Sequence, residues 1–497
     1  MTTLCLDGAR AVEVDLELQY TGGLMQRVIM TGLPGGAVRE SRDRIRGCLD
    51  HCRLPVPRRS VLANFAPADV AKQGNGFDLP LAVGLLTLTG VVPPGALSGR
   101  VVLGEIALDG RLRPVRGGLA LALAARRAGH RAILLPRENG PEAALVQGLR
   151  VEAVGSLPEA LEVLAGAPPP EVTPVPRRAP PTRDLADVRG QASARRALEI
   201  AAAGRHNLLL VGPPGTGKTM LAQRLPGLLP PLDEELALEV TALHGLVASG
   251  PATVHGHAPF RAPHHTVSRA GLIGGGTPLM PGEVCLAHGG VLFLDELPEF
   301  SRALLETLRQ PLEDGEVRLA RAGRRATFPA DFQLVGAMNP CACGYRGHPT
   351  RMCSCAPHQV EQYRRRLSGP LLDRFDLCVE MPPPEGADWM RRPVGESSAC
   401  VAARVAAARR RLGSAAAPSE AAPPEAAGSR PRPRPFQDAR VRRRLEAAVR
   451  AYSLSGRAVR KLEAVAGTVA ALDGRREPGV DDLDEALSFR VGLMSEP

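Results

Sequence analysis

Aromatic side chains are scarce in this 497-residue chain: Phe, Tyr and Trp together make up 3%. Buried cores must therefore be built from Leu, Val, Ala and Ile, and nucleic-acid binding that depends on stacking bases against aromatic rings is disfavoured. No apolar run reaches the ~18 residues of a membrane-spanning helix. The N-terminus, MTTLCLDGARAVEVDLELQY, lacks a basic stretch followed by an apolar core, so it does not read as a secretory signal. The expected location is the cytoplasm, with no membrane partner. In a reducing compartment the ten cysteines do not suggest a disulfide framework. No fixed-period repeat is visible.

What is plentiful is Arg, Ala, Gly and Pro. The net charge is +10 and the pI about 9.4, a balance that suits polyanionic partners such as nucleic acid. Hydrophobic residues make up 44%, enough for ordinary cores. Residues 1–165 alternate strand-like runs (RAVEVDLEL, RVVLGEIAL, RAILLP) with a helical run (GGLALALAARRAG), an α+β or α/β pattern. Residues 166–183 are Pro-rich and read as an extended, exposed linker. Residues 184–381 carry three buried-strand runs, NLLLVG, VLFLDE and FQLVGAMN, as in a parallel sheet. Residues 382–435 read as linker with one helix-like run, ESSACVAARVAAARRRL, followed by a low-complexity stretch. Residues 436–497 read as a small helical domain.

The segment Gly212-Pro213-Pro214-Gly215-Thr216-Gly217-Lys218-Thr219 matches G-x-x-x-x-G-K-[ST] with a strand before it and a helix-capable run after it. Its glycines let backbone N–H groups turn toward phosphates, Lys218 reaches the β and γ phosphates, and Thr219 sits on Mg²⁺. The run GGVLFLDELPEF ends a strand in Asp295-Glu296, which assigns Asp295 to Mg²⁺ and Glu296 to the attacking water. Asn339 ends the next strand, where its amide can position water. Arg374 precedes a further strand. It is either an arginine reaching a neighbouring subunit's nucleotide or the partner of Asp373 or Asp376.

Cys341, Cys343, Cys353 and Cys355 fall within fifteen residues, in NPCACGYRGHPTRMCSC. Four thiolates suit a closed, structural zinc site, although Cys-x-Cys is tighter than the usual spacing. His348 or His358 could replace one thiolate. Two segments are candidate DNA contacts: the loop 271–282, and a hairpin over 314–332 with Arg318, Arg321, Arg324 and Arg325 near its turn. A solvated salt bridge is the competing reading of each arginine.

In this order, the phosphate loop, acidic strand end, asparagine and late arginine resemble AAA+ ATPases. More narrowly, the chain is similar to Mg-chelatase-like AAA+ proteins of the ComM/YifB type. The likeness runs through APFRAPHHTVSRAGLIGGG, PGEVCLAHGGVLFLDELPEF, AMNPCACGYRG, SGPLLDRFD and LSGRAVRKLEAVAGTVA, and at the start through TGLPGGAVRESRDRIR and NFAPADVAKQGNGFDLPLAVG. It implies an αβα module with a C-terminal helical lid and a ring, expected to be a hexamer, with ATP between subunits. Arg374 would act on the neighbour's nucleotide, Arg457 (or its neighbour Arg460) would be the lid arginine, and 187–191, DVRGQ, would contact the base. ComM-type relatives imply DNA branch migration in natural transformation. Other relatives imply Mg²⁺ insertion into porphyrin, or a chaperone-like motor on a protein client.

Residues 1–165 resemble a Lon-protease-like, S5-like domain. The Ser–Lys dyad of that fold is missing: Asn75, Gly76 and Phe77 stand where the serine would fall, and Ala120 and Ala122 lie in the segment where the lysine would. The expectation is a non-catalytic domain and no proteolysis.

Overall fold

The computed structural model describes the chain apart from residues 23–26, 34, 69–71, 73, 75, 179–182, 248–252, 322–323, 384–394, 415–434 and 495–497. It is a mixed α/β protein built on two main sheets.

The first sheet has seven strands, in the spatial order Val28–Thr31, Val61–Ala66, Arg10–Tyr20, Thr2–Asp7, Arg100–Val102, Ala132–Pro136, Arg150–Val154. Side chains alternate across a strand, so Val14 and Leu16 point inward from Arg10–Tyr20 while Asp15 and Glu17 face solvent. The Ala-rich run forms the helix Gly118–Arg127, as its pattern predicts. Phe77, where the Lon-like resemblance would place a serine, is buried against Phe65 at the start of the helix Asp78–Leu88. Ala120 and Ala122 are buried in the helix Gly118–Arg127. Asn75 lies outside the described residues.

The second sheet has five strands: β1 (Leu208–Val211), β2 (Phe260–Arg261), β3 (Val291–Leu294), β4 (Gln333–Met338) and β5 (Leu377–Glu380). Their order is β2-β3-β4-β1-β5, and every pairing is parallel. Both faces are covered, which explains the unbroken apolar runs. Leu208, Leu210, Val291 and Phe293 enter one core, and Leu209, Leu292 and Leu294 enter the other. The first core is closed by α1 (Ala192–Gly204) and by four C-terminal helices: α5 (Ser398–Ser414), α6 (Ala439–Tyr452), α7 (Gly456–Leu472) and α8 (Val480–Met494). The second core receives Leu243 from α3 (Glu234–Gly245). Two further helices border the site: α2 (Lys218–Ala222) and α4 (Pro357–Arg364).

Two segments depart from the linker expectation. Val401, Val405 and Ala408 of α5 are buried with Leu462 and Val465 of α7, so 382–435 is not linker throughout. The helix is amphipathic enough to bury one face, and that face is already covered here. The low-complexity stretch beyond it lies outside the described residues. The described part of the Pro-rich run, 166–178, is extended but pinned: Val172 packs on the first sheet's core, and the Arg178 N–H donates to the Val254 carbonyl at 2.8 Å.

The two sheet units touch. Leu6 and Ala9 pack on the second unit's core, and a Cβ added to Gly8 would come within 2.9 Å of Ala326 Cβ. Among the described residues no helix is long and apolar enough to cross a membrane.

Candidate functional site

The turn between β1 and α2 carries the glycine-rich segment. Gly215 and Gly217 have φ of +83° and +90°, values that a side chain at either position would strain. A Cβ added to either would meet nothing within 4 Å, so the loop encloses open space of the kind a phosphate fills. Gly212 is needed for a different reason: a Cβ there would lie 2.5 Å from the Met381 carbonyl oxygen. Lys218 Nζ donates to the carbonyls of Gly212 (2.7 Å) and Pro213 (2.9 Å) and to Asn339 Oδ1 (3.1 Å). Burial lowers its pKa from the ordinary lysine value. A buried ammonium resting on neutral carbonyls gains strongly when a polyphosphate offers charged acceptors. The residues present therefore fit ATP.

Thr219 donates its hydroxyl to Asp295 Oδ2 at 2.6 Å, which brings together two oxygen donors of the type Mg²⁺ takes. Asp295 follows directly on β3, and its Oδ1 accepts from the Glu296 N–H at 3.0 Å. Glu296 has φ +51°, a left-handed conformation that costs a non-glycine residue on the order of 1 kcal/mol. Its carboxylate is exposed and lies 3.7 Å from His265 Nδ1. Asp295 and Asn339 end neighbouring strands beside the phosphate loop, because β3 and β4 are adjacent and β4 is next to β1. His265 was not singled out from the sequence. Only its place just past β2, beside β3, brings it to Glu296.

The 187–191 stretch lies at the same end of the sheet. Gln191 Nε2 donates to the Pro382 carbonyl at 2.8 Å, and Asp187 pairs with Arg224 at 2.8 Å.

Arg374 lies at the other end. Leu377 pairs with Leu208, at the start of β1, whereas the phosphate loop leaves from the finish of β1. Four residues of strand, about 10 Å, separate the two ends before the loop is counted. The Arg374 guanidinium contacts Glu313, not Asp373 or Asp376. Asp376 instead pairs with Lys461 at 2.7 Å and accepts from the Asn207 N–H. Desolvation, followed by the positive charges of Arg457 and Arg309, lowers the Arg374 pKa. Its Nε is buried with no hydrogen-bond partner among the described residues. Arg457 opens α7, and Lys461, one turn later, donates to the Phe375 carbonyl at 3.1 Å. Arg457 therefore shares the Arg374 end of the sheet and is remote from its own chain's phosphate loop. Arg460, on the same first turns of α7, is exposed beside Glu463.

Residues 184–389 match the family model "Magnesium chelatase, subunit ChlI". Residues 13–139 match "Subunit ChlI of Mg-chelatase" and 395–490 its C-terminal model. The chain is 40% identical over 495 residues to competence protein ComM of Haemophilus influenzae, covering 97% of this chain and 96% of that one. It is 44% identical over 410 residues to YifB of Escherichia coli, an uncharacterized protein, covering 81% and 80%. An uncharacterized protein of Mycobacterium tuberculosis is 43% identical over 498 residues, covering 96% and 95%. The chain belongs to the Mg-chelatase-like ComM/YifB family. It is an AAA+ ATPase.

In this ComM/YifB-family protein the four cysteines converge. Their sulfur atoms all lie within 4.8 Å of one another, with Cys341, Cys343 and Cys353 separated by 3.4, 3.5 and 3.6 Å. Cys355 Sγ accepts from the Cys343 N–H at 3.3 Å. Hydrogen bonding, first from the Tyr345 backbone, lowers the Cys343 thiol to about 5. Neither His348 nor His358 joins the cluster. His348 Nδ1 is engaged by the N–H groups of Thr350 and Arg351.

The basic hairpin forms as Glu316–Arg321 paired with Arg324–Pro329. Val317 and Phe328 face the core, and Arg321 and Arg325 are exposed. Arg318 is held by Glu316 at 2.6 Å, so its charge is already partnered. The Arg324 side chain lies outside the described residues. The loop 271–282 forms a small Gly274–Gly275 and Met280–Pro281 ladder, with Leu272 and Ile273 buried.

Proposed function

We propose that this chain is one subunit of a closed ring, expected to be a hexamer, that hydrolyses ATP at subunit boundaries to remodel DNA as a helicase or branch-migration motor. The observation that carries the ring is the separation of Arg374 and Arg457 from their own phosphate loop. Two clustered arginines, one with an unused buried Nε, suit an anion brought by another copy. ATP with Mg²⁺ supplies the phosphoryl group and the charge neutralisation. Lys218 holds the phosphates, and Thr219 and Asp295 hold the metal. Glu296 orients the attacking water and Asn339 lies against the terminal phosphate. Arg374 and Arg457 stabilise charge on the neighbour's nucleotide.

DNA as the client rests on the exposed Arg321 and Arg325 at the hairpin tip and on the basic composition. It rests also on a relative whose name ties it to competence. The N-terminal sheet unit, seated against the hairpin at Gly8, reads as a Lon-like domain without protease chemistry that guides the strand. The cysteine cluster holds a structural zinc ion. The deciding experiment is the steady-state ATPase rate with and without single-stranded and branched DNA, with Lys218→Ala as the blank. Stimulation that is largest with branched DNA supports the motor. Robust turnover that ignores DNA would overturn the DNA reading and favour a chelatase-type or protein client, in line with the Mg-chelatase models the chain matches.

A further inference from the structure

We infer that zinc in the four-cysteine cluster holds the phosphate-sensing wall of the ATP site in place, so that nucleotide turnover requires the metal. The inference rests on the zinc reading above and adds a task to it.

The cluster has the dimensions of a tetrahedral thiolate site. Zinc–sulfur bonds of about 2.3 Å put the sulfurs of a tetrahedron about 3.8 Å apart. The observed separations of 3.4 to 3.6 Å are close to that. They are far from the roughly 2.05 Å of a disulfide. The N–H of Cys343 aimed at Cys355 Sγ is the kind of outer hydrogen bond that steadies a metal-bound thiolate.

Its position gives the site its role. Asn339, whose amide oxygen meets Lys218 Nζ, is two residues before Cys341. Gly344, directly after Cys343, lies against the phosphate loop: φ there is +85°, and an added Cβ would come within 2.9 Å of Pro214 Cδ. Past the last cysteine the chain enters α4, whose buried Tyr363 shares a core with Met338, the residue before Asn339. The four ligands thus tie the end of β4, the outer wall of the phosphate loop and α4 to one point. Beyond Cys341, the loop 342–356 offers little apolar burial of its own, so a cross-link is what can hold it.

The test measures zinc content, nucleotide affinity and turnover on the full-length protein. Native protein should carry one zinc per chain. Stripping it with a chelator under reducing conditions should lower kcat about tenfold or more, while the affinity for a fluorescent ATP analogue changes far less. Adding back zinc sulfate should restore turnover, which separates loss of the metal from irreversible misfolding. Gly344→Val is the second arm: it adds a Cβ against Pro214 without touching a ligand, and should lower kcat with the zinc content unchanged. Native protein free of zinc would overturn the zinc reading itself. One zinc per chain, with unchanged kcat after stripping and in Gly344→Val, would leave the zinc reading standing and overturn the coupling.

Discussion

Replacing Arg374 by alanine removes a guanidinium that lies at the opposite end of the sheet from its own chain's phosphate loop. The ion pair removed is with Glu313, whose carboxylate is half exposed and returns to water, so the stability cost is at most about 1 kcal/mol. Two terms offset it: the buried Nε without a partner disappears, and so does the repulsion from Arg457 and Arg309. ATP affinity should therefore be close to unchanged, because Lys218, Thr219 and the glycine turn lie at the opposite end of β1. Turnover should fall about 10³-fold or more, equivalent to about 4 kcal/mol of transition-state stabilisation. Thermal unfolding, nucleotide titration and kcat on the same preparation separate the three quantities. A mixing experiment then tests whose nucleotide the arginine serves. Arg374→Ala keeps its phosphate loop and Lys218→Ala keeps its arginine. An equal mixture that exchanges subunits should place an intact loop against an intact arginine at about one interface in four, and so regain activity that neither variant has alone. Normal turnover by Arg374→Ala, or a mixture as inactive as its parts despite proven subunit exchange, would refute the argument.

Glu296→Gln should bind ATP as the native protein does and lose about 10²-fold or more in kcat, since only the carboxylate proposed to orient water is removed; unchanged turnover would move that role to another residue. Arg321→Ala with Arg325→Ala should reduce the slope of log affinity for DNA against log salt by about one for each phosphate no longer neutralised. Arg318→Ala, whose charge is already taken by Glu316, should change it less. Burial keeps His244 and His255 neutral, their rings 4.2 Å apart, with His255 lowered to about 4. The unfolded histidines bind protons from about pH 6.5 downward and the folded pair does not. Stability is therefore retained above about pH 6.5 and lost as the pH falls toward 4, by about 1–2 kcal/mol between pH 7 and 5. Urea titrations at those two values check this, and His255→Gln should flatten the difference.

The phosphate loop was legible because it is local. Eight consecutive residues set their own backbone turn, and Gly215 and Gly217 adopt the positive φ that only their lack of a side chain makes easy. The strands were legible because a parallel sheet buried on both faces requires unbroken apolar runs such as VLFL. The cysteines were legible as a cluster because all four fall in one short segment. What was not legible involves partners far apart in the chain. Lys218 meets Asn339 across 121 residues, and Asp376, offered as a partner for Arg374, belongs instead to Lys461. The helix α5, read as part of a linker, is amphipathic, and nothing local says that its apolar face meets α1 and α7.

The residue order by itself therefore determined the local parts: a glycine-rich turn, an acidic strand end, an asparagine ending the next strand, and a set of thiols suited to zinc. Backbone conformation and side-chain chemistry over a few adjacent residues are enough for each. Tertiary structure alone decided the geometry between them. The parallel order β2-β3-β4-β1-β5 brings Asp295, Asn339 and Lys218 to one end of the strands and leaves Arg374 and Arg457 at the opposite end. That separation depends on how distant strands bury one another, and in the proposed ring it leaves each subunit a site to complete on its neighbour.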